Sequence, residues 1–149
     1  MTDNSTVPYC ARSSLKEVKM CASCSQRIKL LWSQLKQNQQ YKTPDRIRGV
    51  CFSLASVRPG YISISPQNIK IKRVSFSDAL HYLTAKRHYQ MKPCPIASNN
   101  KPNLAGKLCK AARQRNYSKR RCINYILPIF HMNRIVNICG RRPNKTWLI

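Results

Sequence analysis

The N-terminal part of the chain carries apolar residues at intervals of three and four positions. This spacing predicts one amphipathic helix over residues 15–38. Ser14 and Glu17 form a capping box in front of the helix, and the Gln/Asn run at 37–40 ends it. The apolar stripe either packs into a core, which we favour, or docks a partner protein. Its members are Leu15, Val18, Cys21, Ile28, Leu31, Trp32 and Leu35.

The pattern changes to alternation between residues 50 and 76, which predicts a three-strand antiparallel meander. The first strand covers 50–57 and ends at the turn signal Arg58-Pro59-Gly60, and the second covers 61–65. The third begins at residue 69 and continues through Phe76. The outer face of this third strand is basic, through Lys70, Lys72 and Arg73.

The remaining pattern predicts shorter elements. A second helix starts at Ser77-Asp78, and a short basic helix covers about 104–115. Strands are predicted at 122–127 and 134–139, separated by Pro128, and the tail 140–149 is predicted to be irregular. We therefore expect a small single α+β domain with two or three short helices, a small antiparallel sheet and poorly ordered termini. Its parts are a flexible segment 1–13, a helix–meander–helix core 14–92, a Pro/Asn linker 93–103 and a basic C-terminal segment 104–149.

Charge is the most extreme feature of the composition. The chain has 28 Lys and Arg against four acidic residues, which gives a net charge of +24. Most basic side chains therefore lack an acidic partner within the chain, and their repulsion favours an external polyanion. A charge of about 2–8 is enough to keep a small domain soluble. We expect DNA or RNA as the partner, although an anionic membrane surface offers similar phosphates.

The densest basic segment is 107–121, with seven positive charges and no acid. Arginine can hold a phosphate by two hydrogen bonds, and Tyr117 can stack on an unpaired base. Such a run is also typical of a nuclear-import signal that binds an import receptor. Binding by phosphate contacts predicts low sequence specificity. The predicted nucleic-acid-binding residues are Lys70, Lys72, Arg73, Lys107, Lys110, Arg113, Arg115, Tyr117, Lys119, Arg120 and Arg121.

Eight cysteines are present, and in a chain without secretion signals we expect mainly free thiols. The one CxxC, Cys21–Cys24, lacks the second pair that a structural zinc site usually shows, and Cys21 alternatively belongs to the apolar stripe. A second candidate zinc set combines His88 and Cys94 with Cys122 and His131. We expect no cofactor, with zinc as the alternative.

Enzymatic chemistry is not indicated. Four acidic residues in the whole chain argue against paired carboxylates, and no glycine-rich phosphate loop exists. The N-terminus does not have the pattern of a signal peptide, and no apolar run is long enough for a transmembrane segment. We therefore expect a non-enzymatic protein of the nucleus or cytoplasm that is not secreted.

Residues with codons beginning in G are scarce, since Ala, Val, Asp, Glu and Gly together number only 23. This depletion suggests a reading frame that overlaps another gene, as in viral accessory proteins, or one of recent origin. The leading interpretation is a small basic accessory or regulatory protein that binds nucleic acid. The alternatives are a host-factor antagonist acting through helix 15–38, and a reading frame without a selected function.

Overall fold

Four antiparallel strands form a meander in sequence order. The structure is a computed structural model, and it describes residues 21–149. Apolar and polar side chains alternate along the strands because successive residues point to opposite faces of a sheet. The strands are β1 (Gln40–Lys42), β2 (Cys51–Val57), β3 (Tyr61–Ser65) and β4 (Ile69–Lys72). The buried face is formed by Phe52, Leu54, Ile62, Ile64, Ile69 and Ile71.

The prediction that the third strand reaches Phe76 is wrong. Helix α2 covers Arg73–Ala85 and includes both Val74 and Phe76. Pairing ends at Lys72 because its partner in β3 is Tyr61, the first residue of that strand. The Arg73 N–H instead donates to the Gly60 carbonyl at 2.9 Å. Without a strand to pair with, the chain turns into a helix.

Helix α1 covers Ala22–Gln34 and confirms the predicted helix 15–38 over these residues. Residues 35–38 lie outside the helix, because the backbone becomes extended at Leu35. Residues 15–20, the capping box and the predicted flexible segment 1–13 lie outside the described residues. The stripe faces the interior, with Leu31 2% and Leu35 9% exposed. This burial favours the core-packing interpretation of the stripe over docking of a partner.

The prediction of a strand at 122–127 is also wrong. Helix α4 covers Ile123–Met132, with Pro128 inside it, and seven of its ten residues are buried. A continuous apolar run does not distinguish a buried strand from a buried helix, and Pro128 favours the end of a strand over the interior of a helix. The basic helix predicted at 104–115 is present as α3, Lys107–Arg113, followed by a 3₁₀ turn at Tyr117–Lys119.

A second sheet has three antiparallel strands in the order β5–β7–β6. Strand β6 (Val136–Cys139) matches the predicted strand 134–139. Strand β7 (Lys145–Leu148) contradicts the expectation of an irregular tail, since it pairs with β6 along its whole length. Strand β5 (Cys94–Pro95) lies inside the segment 93–103 that the sequence indicates as a linker.

The core joins the helices through aromatic contacts. The ring of Phe76 in α2 meets Trp32 of α1 at 5.0 Å and Phe130 of α4 at 5.9 Å, both edge to face. Edge-to-face packing aligns the positive rim of one ring with the negative face of the other. Phe52 of β2 contacts Tyr125 of α4 in the same way, at 5.2 Å. The described residues therefore form a small α+β domain.

Candidate nucleic-acid interface and a cysteine–histidine cluster

Cations and aromatic rings alternate where β4 meets the 3₁₀ turn. The Lys72 Nζ lies 4.9 Å from the centre of the Tyr117 ring, and the Lys70 Nζ lies 5.2 Å from that of Tyr61. The two rings meet edge to face at 6.3 Å. Two segments that the sequence predicts separately, β4 and 107–121, are therefore adjacent in the fold. We call Tyr61, Lys70, Lys72, Tyr117 and Lys119 the basic face.

A buried asparagine holds the two segments together. The Lys72 N–H donates to Asn116 Oδ1 at 3.0 Å, and Asn116 Nδ2 donates to the Arg120 carbonyl at 3.3 Å. Asn116 is only 5% exposed, so both bonds are shielded from water. The next residues turn outward through positive φ angles of 53° at Ser118 and 49° at Lys119. This backbone is uncommon for residues other than glycine, and such conformations cluster at functional sites.

Two predicted phosphate-binding arginines have partners within the protein instead. Arg115 pairs with the carboxylate of Asp78, which is 5% exposed. Arg113 donates to the carbonyls of Asn99 at 2.7 Å, Asn100 at 2.9 Å and Lys119 at 2.9 Å. Their guanidinium groups are therefore used to hold the fold. The sequence does not indicate these contacts, because Asp78 lies 37 residues from Arg115 and Asn99 lies 14 residues from Arg113.

The other predicted cations differ in their surroundings. Lys107 and Lys110 are exposed on α3 and line an open groove of about 670 Å³ together with Lys86 and Lys119. Arg120 is exposed. Arg73 is half-buried: its guanidinium carbon lies 5.4 Å from the Trp32 ring centre, and Nη1 donates to the Pro59 carbonyl at 3.3 Å.

Arg121 lines a larger cavity, of about 840 Å³, between the loop after β1 and the C-terminal segment. Three buried side-chain oxygens without a hydrogen-bond partner line it: Gln67 Oε1, Ser98 Oγ and Asn124 Oδ1. Asp45 at its rim accepts from Arg142 Nε at 2.9 Å. Backbone N–H donors from Arg48 and Ile47, together with Arg142, lower the pKa of the Asp45 carboxyl far below its usual range.

Cys21, Cys24 and His81 converge between α1 and α2. Their Sγ and ring nitrogen atoms all lie within 4.8 Å of one another. Cys24 Sγ is 4.0 Å from His81 Nδ1, and both side chains are buried, at 1% and 6% exposure. The CxxC was visible in the sequence, but His81 lies 57 residues from Cys24 and has no sequence signal that links it to the pair.

The other predicted zinc set, His88, Cys94, Cys122 and His131, is not brought together. Among residues 21–149, only Cys21, Cys24 and His81 form a group of three or more metal-ligating side chains whose ligand atoms lie close enough to share an ion. His88 Nδ1 instead lies 2.9 Å from the Lys92 carbonyl oxygen, and His131 is exposed. Cys122 Sγ donates to the Ala112 carbonyl at 3.6 Å.

Burial determines the chemistry of the two thiols in that set. Desolvation raises the pKa of Cys94 to about 11 and that of Cys122 to about 12. Burial disfavours the charged thiolate, which is the form that binds metals and reacts as a nucleophile. These two cysteines therefore behave as core residues.

Comparison with models of protein families, with curated proteins and with solved structures found no match to this chain. Within residues 21–149, none of the helices combines the length and the apolar character needed to cross a bilayer.

Proposed function

We propose that this protein binds nucleic acid with low sequence specificity, through phosphate contacts made by the basic face and by Lys107 and Lys110 of α3. The observation that carries the proposal is the alternation of Lys70 and Lys72 with the rings of Tyr61 and Tyr117. Lysine neutralises phosphate and releases counterions, and aromatic rings stack on unpaired bases without regard to sequence. The combination is typical of surfaces that bind single strands.

The charge of the whole chain supports the same proposal. Both acidic residues among the described ones are already paired, Asp78 with Arg115 and Asp45 with Arg142. The lysines of the basic face therefore have no carboxylate to neutralise them among residues 21–149. A polyanion that lies across the face relieves repulsion that the protein does not relieve internally.

The test is the salt dependence of binding, measured by fluorescence anisotropy with a labelled single-stranded RNA and with a DNA duplex. We expect the logarithm of the affinity to fall steeply with the logarithm of the salt concentration, with a slope of about −0.7 to −0.9 for each phosphate neutralised. A flat salt dependence contradicts binding through phosphates.

A triple variant tests where the contacts are made. Lys70→Gln, Lys72→Gln and Lys119→Gln together remove three charges from the basic face and should reduce the salt slope by about 2 to 3. The matched control is Lys42→Gln, Arg46→Gln and Lys145→Gln, which removes three exposed charges from β1, the following loop and β7. Strand β1 is at the opposite edge of the first sheet from β4, and β7 belongs to the second sheet. Equal effects of the two variants contradict the assignment to the basic face.

A further inference from the structure

We infer that Cys21, Cys24 and His81 bind a zinc ion that fastens the start of α1 to α2. In a tetrahedral zinc site the metal lies about 2.0–2.3 Å from nitrogen and sulfur ligands, so neighbouring ligand atoms are about 3.3–3.8 Å apart. Cys24 Sγ and His81 Nδ1 are 4.0 Å apart, and the three ligand atoms share a span of 4.8 Å. These separations exceed the tetrahedral values by at most about 1 Å, a distance that small side-chain rotations cover, so one ion fits among the three.

The backbone around the cysteines suits negatively charged ligands. Cys21 occupies the N-cap of α1 with extended backbone angles, and Cys24 lies in the first turn. The Ser25 N–H donates to the Cys21 carbonyl at 3.0 Å, so the preceding N–H groups point out of the helix end without helical partners. The positive end of the helix dipole stabilises thiolates there.

Histidine distinguishes a metal site from the two other uses of a CxxC. A disulfide between Cys21 and Cys24 needs no imidazole, and a cysteine that only fills the core needs no ring nitrogen beside its sulfur. Here His81, in the middle of α2, directs Nδ1 toward the Cys24 thiol in a buried environment. Thiolate and imidazole together favour zinc over the hard cations, which prefer oxygen ligands.

The position of the site indicates a structural role. It connects residues 57 positions apart, at the opposite end of α1 from the contact between Trp32 and Phe76 of α2. Metal binding that requires the folded arrangement adds to the free energy of folding. This inference concerns stability and is independent of the proposed binding of nucleic acid.

The experiment measures metal on the full chain, purified under reducing conditions, by elemental mass spectrometry. We expect about one zinc per chain, and cobalt substitution should give a thiolate-to-cobalt charge-transfer band together with the visible bands of tetrahedral Co²⁺. A folded wild-type protein with neither zinc nor cobalt binding overturns the inference, and this result needs no variant.

Variants then assign the ligands. Cys21→Ser and His81→Asn should each lower the zinc content, whereas His81→Cys should retain the metal with a stronger charge-transfer band, because thiolate replaces imidazole. Cys51→Ser is the control, since Cys51 is an exposed thiol on β2 outside the cluster, and it should keep about one zinc. Zinc content that is unchanged in Cys21→Ser and His81→Asn overturns the inference. Far-UV circular dichroism of each variant separates loss of the ligand from loss of the fold.

Discussion

Arg115 donates hydrogen bonds to the buried carboxylate of Asp78 from two guanidinium nitrogens. Nε lies 2.9 Å from Oδ2, and Nη2 contacts Oδ1. The pair joins the residue two positions after α3 to the first half of α2. Since Asp78 is one of four acidic residues in a chain of net charge +24, its burial against one particular arginine fixes how α3 sits on α2.

We predict that Arg115→Ala destabilises the protein, because it leaves the Asp78 carboxylate buried without its partner. Breaking a buried pair on one side costs about 3–5 kcal/mol, and the 32% exposure of Arg115 places the effect toward the lower end. Urea unfolding monitored by circular dichroism measures the change. Arg120→Ala removes the same charge from an exposed site and should change the free energy of unfolding by less than about 0.5 kcal/mol. Equal losses in the two variants contradict the structural role.

A second prediction concerns the neighbouring leucines of α1. Leu31 is 2% exposed in the core and Leu30 is 59% exposed. Leu31→Ala should cost about 2–5 kcal/mol through lost burial and the remaining cavity. Leu30→Ala should change the free energy of unfolding by less than about 0.5 kcal/mol, since a single exposed leucine contributes little. A larger loss in Leu30→Ala would show that the stripe of α1 faces away from the core.

The strands that alternate cleanly could be predicted from the sequence. Ile62 and Ile64 in β3, and Ile69 and Ile71 in β4, are separated by polar residues, and period-two alternation identifies a half-buried sheet. Helix α4 could not be predicted in this way because residues 125–130 form a continuous apolar run, which fits a buried strand as well as a buried helix. Strand β7 was missed because its pairing with β6 and β5 is a tertiary relationship.

The candidate sites were predicted in part. The segments that carry charge are visible in the sequence. The contact of Lys72 with Tyr117 and the salt bridge between Arg115 and Asp78 are not, because each joins distant segments. The CxxC was visible as a motif, and His81 was not, because only the packing of α1 on α2 brings it to Cys24. Sites that combine distant segments need the fold before their members can be recognised.

We predict that the buried thiol of Cys122 makes stability fall at alkaline pH. Burial raises its pKa to about 12, from 9.0 for an unperturbed thiol. The contribution of this thiol to the free energy of unfolding is fully present below its pKa in the unfolded state. It is lost as pH rises through its pKa in the folded state, because the thiol of the unfolded chain gives up its proton first. Between pH 9 and 11 this thiol should lower the free energy of unfolding by about 1.4 kcal/mol per pH unit.

The measurement for Cys122 compares urea unfolding of the wild type and Cys122→Ala at pH 8 and pH 10.5. Deprotonation of lysines in this range relieves repulsion and acts in the opposite direction, so the difference between the two proteins isolates the thiol. From pH 8 to pH 10.5, the free energy of unfolding of Cys122→Ala should fall less, or rise more, than that of the wild type. Cys51→Ala, at an exposed position, should follow the wild type. Parallel pH dependences in wild type and Cys122→Ala contradict the prediction.

Tyr117 provides a test of strand preference in the proposed nucleic-acid interface. Its ring is 40% exposed beside Lys72, and a ring that stacks on an unpaired base contributes about 1–3 kcal/mol to binding. Tyr117→Ala should therefore weaken binding of single-stranded RNA by about that amount and leave binding of a DNA duplex nearly unchanged, as measured by anisotropy. Tyr89→Ala, a half-buried tyrosine in another segment, is the control. Equal weakening for both nucleic acids contradicts a stacking role.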